Sequence, residues 1–191
     1  PEGTPRFAPS PDRLALSWFG HPTNIEALYP LLAGVLQMPR GPGSPVIDFE
    51  IVTTPIPSLI EALGALSGMG GEACSFRLTP WSPEANWQAL AACDMVLLPS
   101  QDDAYFQAKG ANRLIETLRA GRLPLAHPTP AYREFSDFAW VDADLLAGLR
   151  WALANPADAL ARIEAGQATV NERYSPAAIA AKWAAALRTL V

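Results

Sequence analysis

Apolar residues fall along this chain in two alternating patterns, short continuous runs and stripes with helical spacing. LALSWF, residues 14–19, is a short apolar run ended by Gly20, which predicts a strand and a turn. From Asn24 the apolar positions Ile25, Leu28, Leu31, Leu32 and Val35 mark one face of a helix. MPRGPGSP, residues 38–45, breaks that pattern, and residues 47–53 read as a second strand stopped by Pro55 and Pro57. SLIEALGAL, residues 58–66, predicts a helix with Ser58 as cap and Glu61 completing a capping box. CSFRLTPW, residues 74–81, is a third strand, Ser82 and Pro83 open a helix running to about Ala92, and DMVLLPS, residues 94–100, is the most apolar strand. A polar loop, QDDAYFQ, then leads to KGANRLIETLRAG, a helix read from Lys109 to its terminal glycine, and RLPLAHP is a fifth strand. A short helix over 130–135, a brief strand AWV and a helix over 142–154 follow, and then two alanine-rich helices, 156–172 and 176–190, with no strand between them.

Strands alternating with helical segments mean parallel pairing, because parallel neighbours need crossover connections and helices supply them. The expected fold is therefore α/β: a Rossmann-like doubly wound parallel sheet with a helical C-terminal extension. PEGTPRFAPSP at the start is proline-rich and reads as an interdomain linker over residues 1–13, leaving 14–191 as the domain. A net charge of -5 gives no electrostatic footprint for nucleic acid, so any anion must be held locally. Cys74 and Cys93 lack C-x-x-C spacing and, with two histidines in the chain, assemble neither a zinc site nor a disulfide framework. No apolar run reaches the ~18–20 residues that span a bilayer, and the N-terminus lacks a signal-peptide pattern, so the expected location is cytoplasmic.

In open parallel sheets the ligand crevice lies beyond the carboxyl ends of the strands. Three loops qualify there. Gly20, His21, Pro22, Thr23 and Asn24 form the first, with glycine allowing close backbone approach and Thr23 or Asn24 as a helix cap; it lacks the G-x-G-x-x-G dinucleotide fingerprint. The second is Thr79 to Ser82, where the Trp81 indole could stack on a base or simply cover the core. Ser100 to Lys109 is the third, and in it Ser100, Gln101, Asp102 and Asp103 face the crevice mouth, as sugar or metal ligands or as a solvated loop. The helix that follows opens with Lys109, Asn112 and Arg113. A helix N-terminus attracts phosphate, and two added cations suit a diphosphate. Glu116, on the same side of that helix, can accept both hydroxyls of a ribose; the competing reading is an Arg113–Glu116 surface pair. His21 is placed to donate to a phosphate or merely to shape its turn, and His127, before Pro128, reads as structural.

The order PWSPEANWQALAACDMVLLPS, KGANRLIETLRAGRLPLAHPTPAYRE, GQATVNERYSPAAIAAKW resembles the C-terminal domain of GT-B-type glycosyltransferases, the glycosyl transferases group 1 family. The resemblance implies a donor-binding half that moves a sugar, hexosyltransferase-like, from a nucleotide diphosphate sugar to an acceptor. Members tend to carry an Arg and a Lys after the first strand, where this chain has His21, Pro22, Thr23 and Asn24, so Lys109 and Arg113 are expected to take the catalytic role of stabilising the leaving diphosphate, with Glu116, Asn112, Trp81, Gly20, His21 and Ser100 on the substrate. The resemblance implies no cofactor and no obligatory metal. An acceptor-binding domain would precede this chain, any peripheral membrane association would come only through that part, and the isolated domain would be inactive. Retaining members carry two glutamates eight positions apart, the second at Glu116, whereas the first position is Ala108 here. The alternative from another class is a degenerate, non-catalytic Rossmann-like scaffold or interaction module, and a third is a nucleotide-sugar 2-epimerase.

Overall fold

The computed structural model describes residues 2–39, 41 and 43–189. Its strands are β1 (Arg13–Phe19), β2 (Val46–Thr53), β3 (Cys74–Pro80), β4 (Met95–Leu98), β5 (Leu123–Ala126) and β6 (Trp140–Val141). They form one parallel sheet in the order β3-β2-β1-β4-β5-β6. The chain winds outward from β1 in one direction and from β4 in the other, so the switch point lies between those two strands. The crossovers are a 3-10 helix (Pro22–Ala27) with α1 (Tyr29–Leu36), then α2 (Pro57–Gly70), α3 (Pro83–Ala92), α4 (Ala104–Gln107) with α5 (Asn112–Arg119), and α6 (Pro130–Arg133). After β6 come α7 (Leu145–Ala154), α8 (Pro156–Tyr174) and α9 (Pro176–Arg188). Among the described residues no helix is long and apolar enough to cross a membrane.

Period-2 alternation in β1 sends Leu14, Leu16 and Trp18 to one face, where they meet Phe49, Ile51, Leu59 and Leu149, while Ala15 and Phe19 go to the other with Leu90, Val96, Leu114 and Leu118. Each such fully buried side chain contributes roughly 1.5–3 kcal/mol, which is what fixes the register. All four residues of β4 and of β5 are buried, as central strands covered on both faces must be.

Several local expectations change. The helix read from Asn24 divides into a 3-10 helix and α1, and its cap is His21, whose Nδ1 accepts from Thr23 N, rather than Thr23 or Asn24. No capping box forms at Ser58, because Pro57 takes the first helical position and Ile56 the cap. The loop after β4 contains α4, capped by Asp103, and α5 begins at Asn112, leaving Lys109 in the connection. α8 runs past Glu172 to Tyr174, and α9 ends at Arg188 with Leu190 outside the described residues. Along α9, Ile179, Trp183 and Leu187 form an exposed apolar stripe.

α5 ends in a Schellman motif: Gly121, at φ 70°, donates to Leu118 O at 2.9 Å, and Arg122 N donates to Thr117 O at 3.1 Å. A side chain on Gly121 would strike the Thr4 carbonyl. The segment read as a linker is docked here, with Gly3 N donating to Arg119 O and the buried Arg122 donating to Thr4 O.

Candidate functional site

At the carboxyl end of β1 the chain turns through Gly20, where a Cβ would lie 3.3 Å from Arg113 Nη1. Arg113 reaches across from α5 and donates to Phe19 O at 3.3 Å. Lys109 Nζ donates to the buried Asn24 Oδ1 at 2.6 Å and lies 3.9 Å from the centroids of both the Tyr105 and Phe106 rings. Burial lowers the Lys109 pKa, Tyr105 works against that, and the Arg113 charge adds to it. Among the described residues no side chain caps α5, whose N-cap is Ala111. Its first N–H groups therefore point out with the positive end of the helix dipole, beside two cations gathered at the switch point. This arrangement can hold a multiply charged anion.

One turn further along α5, Glu116 is partly buried against α3. Asn86 Nδ2 donates to Glu116 Oε2 at 3.5 Å. Burial raises the Glu116 pKa, and the Asn86 hydrogen bond and the charges of Arg119 and Arg113 only partly oppose this. Among the described residues no ion pair joins Glu116 to Arg113, so the surface-pair reading is not what the structure contains. The carboxylate is left with unused acceptor capacity.

Beyond β4 and β5 lies a cavity of about 660 Å³ lined by Ser100, Gln101, Asp102, Gln107, His127 and Arg133. A second, of about 390 Å³, shares Ser100, Gln101 and His127 and adds Glu26 and Pro30. His127 Nδ1 sits 3.1 Å from Ser100 N and 2.7 Å from Ser100 O, fixing the floor between them. Its structural reading is met, and it also lines the crevice.

The structure thus gathers Gly20, Lys109 and Arg113 at the end of β1 and places Ser100 on the wall of the neighbouring cavities. Asn112 is exposed at the start of α5. His21 spends its Nδ1 on its own turn, 3.0 Å from Thr23 Oγ1. Trp81 is 52% exposed at the end of β3, immediately before Ser82, the cap of α3. Asp103 is taken up as the α4 cap and Asp102 accepts from Gln107. Ala108 is the C-cap of α4. Sequence reading missed Asn86, whose one signal is an amide at a core-facing position of an apolar helix, and the Tyr105–Phe106 pair that packs on Lys109.

A parallel sheet in this order, with its crevice at the switch point and a helical extension, is Rossmann-like, and its fold matches one half of GT-B structures. Solved structures of glycosyltransferases share it. The Anabaena HepE protein in complex with UDP-glucose matches with a TM-score of 0.72 at 15% identity, over 93% of this chain and 49% of that one. A UDP-forming α,α-trehalose-phosphate synthase from Burkholderia xenovorans gives 0.68 at 12%, over 92% and 44%. The C-terminal domain of LpcC, a glycosyl transferase group 1 family protein from Francisella tularensis, gives 0.59 at 12%, over 88% of both chains. This chain spans about half the length of the first two. No family model and no curated protein matches it in sequence.

Proposed function

We propose that this domain binds a nucleotide diphosphate sugar and serves as the donor half of a glycosyltransferase. The observation that carries the reading is the meeting of Arg113, Lys109 and the uncapped α5 N-terminus at the end of β1, with Glu116 one turn along the same helix. In this reading the diphosphate lies against the α5 N-terminus. Glu116 accepts the ribose hydroxyls, and the sugar extends toward Ser100 and His127. As the glycosidic bond to the diphosphate breaks, negative charge grows on the leaving oxygen, and Lys109, Arg113 and the helix amides stabilise it. These groups supply the positive charge themselves, so the reading includes no obligatory metal. The acceptor and its base belong to a partner domain, and the isolated domain turns nothing over. HepE and the trehalose-phosphate synthase, by name a UDP-glucose complex and a UDP-forming enzyme, make UDP the first ligand to try. Calorimetric titration with UDP, GDP and TDP is expected to show one of them binding, with the heat lost in Glu116→Ala. Failure of all three to bind favours the non-catalytic scaffold.

A further inference from the structure

α3 starts cleanly, with Ser82 accepting from Ala85 N at 3.0 Å and Pro83 in the first turn, and it packs Ala89 and Leu90 into the core. Asn86 lies on that same buried face, 6% exposed. An aliphatic residue would fill this position without polar cost. The amide instead leaves its Oδ1 buried with no hydrogen-bond partner among the described residues, at a cost in stability. Among the described residues, the one hydrogen bond its side chain makes goes to Glu116 Oε2. Packing does not account for an asparagine here, whereas orienting a carboxylate does.

We infer that Asn86 is a positioning residue for Glu116, holding that carboxylate in the orientation in which its remaining lone pairs take up the two hydroxyls of a ribose. The inference rests on the proposed donor site. α3 contributes a neutral donor to Glu116, while the charges acting on it, Arg113 and Arg119, are on its own helix. Asn86 therefore sets direction without fixing the carboxylate in an ion pair, and both ribose hydroxyls can still be accepted.

The test compares UDP with 2′-deoxy-UDP, and GDP with 2′-deoxy-GDP, on the wild-type domain and on Asn86→Ala and Asn86→Asp. The wild type is expected to prefer the ribose form about tenfold, the worth of one hydrogen bond to a charged group. Asn86→Ala should cut that preference to about two- to threefold while leaving affinity for the 2′-deoxy form nearly unchanged. Asn86→Asp, which keeps the side-chain shape should alanine fail to fold, is expected to lose the preference at neutral pH, where two carboxylates repel. A purely structural amide would weaken both forms equally. Discrimination that stays at the wild-type value in both variants overturns the assignment of Asn86. A wild type that binds no nucleoside diphosphate overturns the donor reading itself, and does so before any variant is compared.

Discussion

Asp48 and Glu116 lie over the same face of the sheet at opposite ends of it, and their surroundings have opposite effects. Asp48, near the amino ends of the strands, accepts from Arg13 and from Ser75. Burial alone would raise its pKa, but those two bonds and the charges of Arg13 and Arg77 outweigh it and lower it. Beside it, Glu50 takes Arg77 and Thr79, each at 2.7 Å. At the crevice end Glu116 has a weak amide donor and no ion pair, and burial prevails. Likewise Arg13 is neutralised by a carboxylate, whereas Arg113 and Lys109 rest on a carbonyl and an amide oxygen. Charges that satisfy one another belong to the scaffold. Those held only by neutral groups keep most of their field for a ligand.

The largest expected effect follows directly. The double variant Lys109→Ala/Arg113→Ala should lose about a hundredfold or more in UDP affinity, while Arg13→Ala leaves affinity unchanged, both read by calorimetry. Equal losses in the two would erase the distinction between the ends of the sheet. Next in size, Glu116→Gln should weaken UDP about tenfold and at the same time raise the melting temperature at pH 7. The sign follows from a folded pKa above the ordinary value of 4.5. The buried ionised form is a cost that is absent below that value and fully present once pH has risen through the folded pKa. The gain in stability should therefore vanish in acid, and a variant that is less stable at pH 7 would show Glu116 to be satisfied.

The fold was legible because short apolar runs and period-3.6 stripes alternate from Leu14 to Ala154, and that alternation admits little but crossover connections. What it could not supply was the strand order, or the placing of β1 beside β4, on which the crevice depends. Lys109, Arg113 and Glu116 were legible as a cluster because they lie within a few residues of one another. The partners that give the cluster its character, Phe19 O, Asn24 and Asn86, come from β1, the 3-10 helix and α3, and no local spacing announces them. Local chemistry misled in the same way at Ser58, where a serine followed by a glutamate looked like a capping box but Pro57 already fixed the first turn.

The smallest effect sharpens the comparison from the other side. Asp48→Asn removes the charge that Arg13 and Ser75 address, yet Arg13 is largely exposed, with 57% of its side chain in contact with solvent, so water recovers much of the interaction. The expected loss is about 0.5–1 kcal/mol at pH 7, with UDP affinity untouched. Because the folded pKa of Asp48 lies below the ordinary 3.8, its contribution is present above that value and is lost as pH falls through the folded pKa. Variant and wild type should then melt together in strong acid, and added salt at pH 7 should narrow the gap by screening the ion pair. Melting curves across pH for Asp48→Asn and Glu116→Gln should thus separate in opposite directions at neutral pH and converge on the wild type in acid. A Glu116→Gln curve falling below the wild type alongside Asp48→Asn would mean that both carboxylates serve the scaffold.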